Sequence, residues 1–279
     1  MPDWRPLIVR RKDGYPRIMG VINITPDSFF EDSRSNNISE TIKIAQSMIQ
    51  NGADWLDVGG ESTRPGADPV EEEEEISRVV PVIRELRKKF PGIGISVDTR
   101  RSEVAKLSLE EGADMINDIS ALSDENMINI IKQSDCYICL MHMKGLPGNM
   151  QDNPQYDDVV AEVRSRLNEK VSLLIREGID RERIIVDPGI GFGKLLEHNL
   201  LLLKSGREVI PLSNVKLMWG VSRKSMFSEL LGRIEARDRL AGTLGIAAMS
   251  KLKAVDIIRV HDVAEHADLF RAMSSLEDF

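Results

Sequence analysis

The strongest constraint on the fold of this 279-residue chain is a repeated alternation of short apolar runs with amphipathic segments. The apolar runs are rich in β-branched residues, which is typical of buried parallel strands. The segments between them have a helical period, as in residues 38–50, which stop at Asn51-Gly52. Eight such runs occur, at residues 18–24, 54–58, 93–97, 115–116, 136–141, 184–186, 215–221 and 257–260.

Eight strands that alternate with helices predict an α/β protein with a (β/α)8 TIM barrel fold. A doubly wound sheet is the alternative. Two similar segments, Asn51-Gly52-Ala53-Asp54 and Glu111-Gly112-Ala113-Asp114, each end a helix and begin a strand, and this repetition favours the barrel. No low-complexity linker interrupts the chain, so we expect one domain over residues 1–279.

Composition narrows the class of protein. With 42% hydrophobic and 29% charged residues, the chain can form a large core and a solvated exterior. The net charge of -8 argues against a general role on nucleic acids or membranes, which usually require a basic face. No apolar run is long enough to span a bilayer, and residues 1–12 lack the apolar segment of a signal peptide. We therefore expect a cytoplasmic protein.

Two motifs could be over-interpreted. Cys136 and Cys139 have a Cys-x-x-Cys spacing, but they lie in a strand-like run and no second cysteine pair could complete a zinc site, so we interpret them as core residues. The glycine-rich stretch from Asp187 to Lys194 fails the phosphate-loop and dinucleotide patterns. It remains a turn that carries one carboxylate, Asp187, at a strand end.

The polar residues at the strand ends form a chemical pattern. In a TIM barrel the carboxyl ends of all strands share one mouth, where active sites lie. Any single Asp or Asn after a strand is more often a helix cap than a ligand group. The whole set is harder to explain in that way: Asn23, Asp57, Asp98, Asn117, His142, Asp187, Lys224, Arg259 and His261.

This set divides into two parts. Asp98, Asn117 and Asp187, with walls from Met141 and Phe192, suit a flat heterocycle with N–H donors on one edge. Lys224, Arg259 and His261 suit phosphate or pyrophosphate. The amide oxygen of Asn23 can bind a hard metal, so we expect any metal to be magnesium that arrives with the phosphate.

The chain resembles the dihydropteroate synthases over nearly its whole length. Eight segments carry this resemblance in order, namely residues 19–29, 57–66, 96–99, 116–118, 140–143, 187–194, 222–225 and 259–262. The resemblance implies a homodimeric, sulfonamide-sensitive transferase of folate synthesis. Such an enzyme joins 6-hydroxymethyl-7,8-dihydropterin diphosphate to 4-aminobenzoate.

The resemblance also implies roles for individual residues. Asp187, Lys224, Arg259 and His261 would be catalytic. The pterin site would comprise Asp98, Asn117, Met141, Asp187, Phe192 and Lys224, and the glycines after Asp187 would make room for the ring. Diphosphate would contact Asn23, Arg259 and His261, with Asn23 on Mg²⁺. The 4-aminobenzoate site would comprise Phe29, Thr63, Arg64, Pro65 and Ser225, the last of these at a helix start that favours anions.

One segment departs from the family pattern. Family members often continue Ser28-Phe29 as Ser-Asp-Gly-Gly, whereas residues 30–35 of this chain contain no glycine. The acid of this loop is Glu31 or Asp32.

Two other functions remain open. One alternative is a pterin-binding methyltransferase of the methyltetrahydrofolate:corrinoid type. It should lack the phosphate-binding segments around Lys224 and Arg259. The other is a non-catalytic pterin-binding protein.

Overall fold

A computed structural model describes residues 8–24, 34–61, 70–145, 150–210 and 212–277. Eight parallel strands close into a barrel in sequence order, with the first strand paired to the eighth. The predicted (β/α)8 TIM barrel is therefore confirmed. The strands are β1 Arg17–Asn23, β2 Trp55–Gly59, β3 Gly94–Asp98, β4 Met115–Asp118, β5 Tyr137–Met141, β6 Ile184–Asp187, β7 Lys216–Trp219 and β8 Ile257–Val260.

Nine α-helices lie within the described residues, and two of them fall between the last two strands. The helices are α1 Arg34–Gln50, α2 Glu72–Lys89, α3 Ser102–Glu110, α4 Met127–Gln133, α5 Val159–Arg176, α6 Leu196–Ser205, α7 Met226–Leu231, α8 Leu240–Ala248 and α9 Val263–Glu277. No helix in these ranges is long and apolar enough to cross a membrane.

The strand boundaries differ from the prediction most at β7. The sequence predicts residues 215–221, but the strand ends at Trp219. Val215 and Val221 are both buried in the layer between strands and helices, so their apolar character reflects packing rather than strand pairing. Apolarity alone cannot distinguish these two causes of burial.

The barrel interior is closed at the amino ends of the strands. Alternate strand residues point inward, and seven of them, with Ile8 from the amino-terminal segment, form one buried cluster. Trp55 fills the lower barrel, with the Tyr137 ring centroid 5.9 Å away. A Cβ atom at Gly94 would lie 2.3 Å from the indole, so glycine is required there. The carboxyl end is therefore the end left for a ligand.

The two cysteines are core residues, as predicted. Both thiols are free and buried. Cys139 belongs to the cluster inside the barrel, whereas Cys136 packs in the outer layer. Burial raises the pKa of both thiols, which keeps them protonated and unreactive.

Candidate active site

The strand register brings the predicted polar residues to one end of the barrel. Gly59 on β2 pairs with Asp98 on β3, and Asp98 pairs with Asn117 on β4. Met141 on β5 pairs with Asp187 on β6. Since paired residues of adjacent strands point to the same face, these side chains share the inward side at the carboxyl ends.

Arg259 on β8 joins two of the carboxylates across the barrel. Its Nε donates to Asp57 Oδ2 at 2.5 Å, and its Nη2 donates to Asp98 Oδ2 at 2.7 Å. Asn117 Nδ2 donates to the same Asp57 oxygen at 3.2 Å. Asp57 is fully buried, so this network connects β2, β3, β4 and β8 inside the barrel.

Sequence reasoning placed Asp57 at a strand end but assigned it no role. The structure makes it the residue that holds Arg259 and Asn117. The only signal in the sequence was a carboxylate at an inward position of an otherwise apolar strand. Its partner Arg259 lies 202 residues further along the chain, so the pairing could not be read from local pattern.

The electrostatics of this network follow from burial. Burial raises the pKa of Asp98 to about 7, against the opposing charge of Arg259. Burial would lower the pKa of Arg259, but the charges of Asp57 and Asp98 outweigh it and raise that pKa. The guanidinium therefore stays charged and holds two carboxylates that would otherwise repel each other.

Two acceptors in the network have no hydrogen-bond partner among the described residues. They are Asp57 Oδ1 and Asn117 Oδ1, and both are buried. Native proteins rarely leave buried acceptors unpaired, and such atoms often mark a place where a ligand donates hydrogen bonds. Both oxygens belong to side chains that point into the barrel below its mouth.

The same end of the barrel also carries an apolar cluster. Met141, the last residue of β5, forms a buried cluster with residues from the loops after β4, β5 and β6, namely Ile119, Met150 and Phe192. Lys224 Nζ lies 4.0 Å from the centroid of the Phe192 ring, a cation–π contact. The structure thus brings together the predicted residues Met141, Phe192 and Lys224.

Asp187 ends β6 with one oxygen engaged. Its Oδ1 accepts the backbone N–H of Gly189 at 2.7 Å. A Cβ atom at Gly220 would lie only 3.3 Å from Oδ2, so glycine leaves space beside this oxygen. Burial raises the pKa of Asp187, and the nearby charges of Lys224 and Arg259 oppose that rise. The carboxylate is therefore buried beside two cations.

The predicted role of the glycines after Asp187 is wrong for two of them. A Cβ atom at Gly189 would lie 1.8 Å from the carbonyl oxygen of His142, and one at Gly193 would lie 2.3 Å from that of Lys144. Both glycines also have positive φ. They allow this loop to pack against the loop after β5 rather than making room for a ring.

Lys194, which received no role from the sequence, connects these two loops. Its buried ammonium donates to the carbonyl oxygens of Gly189, Phe192 and His142, and it lies 3.1 Å from His142 Nδ1. Burial lowers the pKa of Lys194 to about 7 and that of His142 to about 3. The lysine therefore supports the backbone that carries Phe192.

The loops after β7 and β8 are bonded to each other. Ser222 Oγ accepts the backbone N–H of His261 at 3.1 Å and lies 2.9 Å from His261 Nδ1. Arg223, with φ of 54°, forms a two-pronged ion pair with Asp262. Ser225 is the residue before α7, as predicted.

Several predicted contacts lie outside the described residues. Phe29, Thr63, Arg64 and Pro65 are among them, as are both candidates for the loop acid, Glu31 and Asp32. Asn23 is described and ends β1 with an exposed side chain. No group of three or more His, Cys, Asp or Glu residues that could hold a metal occurs in the described ranges.

Comparisons with known proteins agree with this geometry. Residues 19–261 match the family model described as pterin binding enzyme. A dihydropteroate synthase of Neisseria meningitidis serogroup C is 44% identical over 264 residues, which cover 94% of this chain and 93% of that protein.

Solved structures also resemble the chain. The dihydropteroate synthase of Yersinia pestis with a sulfonamide drug complex has a TM-score of 0.88 at 37% identity, covering 96% of this chain and 97% of that one. The enzyme of Xanthomonas albilineans in complex with 7,8-dihydropteroate has a TM-score of 0.83 at 32% identity, covering 96% of each chain.

A closed parallel barrel with buried acceptors and cations at its mouth is the architecture of a pterin-binding enzyme, and the chain belongs to that family. Within the family, its relatives over nearly full length are the dihydropteroate synthases, which are transferases of folate synthesis. The chain is a member of that group.

Proposed function

We propose that the mouth of this barrel condenses 6-hydroxymethyl-7,8-dihydropterin diphosphate with 4-aminobenzoate, giving 7,8-dihydropteroate and diphosphate. The observation that carries this proposal is the pair of buried, unpaired acceptor oxygens on Asp57 and Asn117, at an end of the barrel that also carries an apolar cluster and the cations Lys224 and Arg259. A pterin supplies N–H donors along one edge and flat faces, and its diphosphate supplies negative charge.

The pterin pocket uses acceptors on one side and apolar contact on the other. Asp98, Asn117 and Asp187 face the N–H groups of the ring, and buried hydrogen bonds of this kind select one ring system strongly. Met141 and Phe192 pack against its faces. Lys224, above Phe192, lies between the ring and the diphosphate.

The leaving group meets the ends of β7 and β8. Arg259 uses only part of its five-donor fork on Asp57 and Asp98, so it retains N–H groups for an anion. With Lys224 and His261 it stabilises the negative charge that develops on the departing diphosphate. We propose that departure precedes attack by the arylamine, since Asp187 favours the electron-poor pterin methylene that results.

Magnesium would be held by Asn23 and the diphosphate. The fit rests on the donor set: the exposed amide oxygen of Asn23 is a neutral hard ligand, and magnesium often binds through one or two protein oxygens and substrate phosphates. When bound, the ion would neutralise part of the diphosphate charge.

All the residues of the 4-aminobenzoate site are proposals. Ser225, exposed before α7, would receive the carboxylate, and Phe29, Thr63, Arg64 and Pro65 would close over the ring. Sulfonamide binding would use the same place. The predicted cytoplasmic location and the single domain also stay predictions.

Direct assay tests the function. Purified protein is mixed with magnesium, the pterin diphosphate and 4-aminobenzoate, and both diphosphate and dihydropteroate are measured. We expect the two products in equal amounts. Tight pterin binding without either product would favour the non-catalytic binding protein, and methyl transfer from methyltetrahydrofolate to a corrinoid would favour the methyltransferase.

Lys224 makes the activity depend on pH. Burial lowers its pKa to about 8, although the charge of Asp187 opposes this. The ammonium is therefore charged below about pH 8 and loses its charge above it. We expect kcat/KM for the pterin diphosphate to fall as pH rises through about 8.

A Lys224→Arg variant tests the origin of this alkaline limb. Arginine remains charged throughout this range, so the limb should move upward or disappear even where the absolute rate is lower. Lys216→Arg, the same change at the opposite end of β7, is the matched control and should retain the wild-type profile. An unchanged limb in Lys224→Arg would contradict the assignment.

We also propose that the protein is a homodimer. Large apolar side chains are exposed on the neighbouring helices α6 and α7 and just after α7, including Leu200, Leu201, Leu230 and Ile234. Ile234 is 77% exposed. Exposed apolar side chains grouped on adjacent elements often mark an interface.

Sedimentation of two single variants tests the dimer. Ile234→Lys places a charge on this face, and we expect it to shift the monomer–dimer equilibrium towards monomer by about tenfold or more. Leu276→Lys, at a similarly exposed site on α9, should sediment like the wild type. A monomeric wild type would overturn the proposal.

A further inference from the structure

We propose that Ser222 is a positioning residue that keeps the neutral His261 ring in the tautomer with its proton on Nε2, so that His261 presents a permanent N–H donor to the leaving diphosphate. This inference rests on the proposed function, in which His261 faces that group. It concerns a hydroxyl to which neither sequence pattern nor resemblance assigned a role.

The barrel register brings the two residues together. Trp219 on β7 pairs with Ile258 on β8, and three residues beyond each of them this alignment reaches Ser222 and His261. His261 lies two positions after Arg259, on the same side of its strand. The serine is buried, and its oxygen contacts both the backbone nitrogen and the ring Nδ1 of His261.

Counting donors and acceptors sets the tautomer. A hydroxyl has one proton to donate and two lone pairs. The backbone N–H of His261 can only donate, so it occupies one lone pair of Ser222 Oγ at 3.1 Å. Within the described part of the chain, the sole acceptor in contact with the hydroxyl proton is His261 Nδ1 at 2.9 Å.

The alternative arrangement is costly. If Nδ1 carried the proton, it would donate to the serine oxygen, and the buried hydroxyl proton would lose this acceptor. Nδ1 is therefore the unprotonated nitrogen, and the proton of the neutral ring lies on Nε2. His261 can then donate a hydrogen bond to phosphate without first taking up a proton, and a fixed donor needs little reorganisation as negative charge develops.

A neighbouring hydroxyl provides a matched control. Thr243 Oγ1 accepts the backbone N–H of Arg223 at 3.0 Å and donates to the carbonyl oxygen of Arg239. It is fully buried and supports the same loop after β7, but these two hydrogen bonds join it to Arg223 and Arg239 rather than to His261. Thr243→Val thus removes a buried hydroxyl from this loop without removing the proposed proton donor.

Nitrogen NMR reads the tautomer directly. The chain has four histidines, so protein labelled with ¹⁵N-histidine gives a spectrum in which His261→Gln identifies one ring. At a pH where that ring is neutral, we expect the proton on Nε2 in the wild type and in Thr243→Val. Ser222→Ala should give a mixture of tautomers. A wild-type ring with its proton on Nδ1, or an equal change in Thr243→Val, would overturn the proposal.

Kinetics test whether Ser222 acts through His261. We expect Ser222→Ala to lower kcat about tenfold, the size of one lost hydrogen bond, with KM for 4-aminobenzoate unchanged. In a His261→Gln background the same change should lower kcat by less than about twofold, because residues that act as a unit are not additive. Equal losses in both backgrounds would indicate a merely structural serine.

The two arms separate failure of this inference from failure of the proposed function. The NMR measurement needs no turnover, so it decides the effect of Ser222 on the His261 ring even in a protein that forms no dihydropteroate. A wild type that forms no product contradicts the proposed function and, with it, the catalytic use of the tautomer. A wild type that forms product with the other tautomer contradicts only the inference.

Discussion

Arg259→Ala is expected to lower kcat/KM by about 10²–10³, the usual effect of removing one pre-organised electrostatic contact. The guanidinium bonds Asp57 at 2.5 Å and Asp98 at 2.7 Å, and we assign its remaining donors to the diphosphate. Its removal also leaves two buried carboxylates uncompensated, which costs about 3–5 kcal/mol of folding stability. Steady-state kinetics and urea unfolding measure the two effects.

A surface variant controls for the change of charge. Arg271 on α9 pairs with Asp268 at 3.3 Å, and both side chains are exposed. Arg271→Ala should therefore change stability by less than about 1 kcal/mol and leave the kinetics unchanged. If Arg259→Ala retained wild-type kinetics at a temperature where it is fully folded, the assignment of Arg259 to the leaving group would be wrong.

Asp187→Asn is expected to lower kcat/KM by about 10²–10³ while retaining the fold. The amide oxygen of asparagine can still accept the N–H of Gly189, which Asp187 Oδ1 accepts at 2.7 Å. The variant therefore removes a negative charge from the pocket while the loop keeps its hydrogen bond. Kinetics of dihydropteroate formation and calorimetric binding of the pterin diphosphate measure the loss.

The same substitution can be made at the other end of β6. Asp180 caps the short helical turn before this strand, where its side chain accepts the N–H of Glu182. Asp180→Asn should retain activity within about twofold, since asparagine is also a good cap. Normal turnover in Asp187→Asn would remove this carboxylate from the mechanism.

Sequence and structure agree most closely on the fold and on which residues meet. The alternation of apolar runs with helical segments requires strands buried on both faces, and a closed parallel barrel satisfies this requirement. Asp98 and Asp187 each end a strand and Asn117 is the last residue but one of β4, so their convergence follows from the barrel alone. The predicted strand boundaries were wrong where apolar residues are buried without pairing to a neighbouring strand, as at Val215 and Val221.

The glycine-rich loop after β6 shows why the local sequence pattern does not suffice to assign roles to individual residues. The alternating glycines predicted an open turn, and the structure has one, but the space that Gly189 and Gly193 leave is filled by carbonyl groups of the loop after β5. Lys194 then binds the same carbonyl-rich region. These neighbours lie about 50 residues away along the chain, so the approach of two loops cannot be read from either one.

By itself, the sequence determined the barrel, its active end and the chemical types at that end, because burial periodicity and strand order depend on local composition. The tertiary structure alone decided the pairings: Arg259 with Asp57 and Asp98, Lys194 with the loop carbonyls, and Ser222 with His261. Such pairings depend on register and barrel closure, which bring distant residues within hydrogen-bond distance.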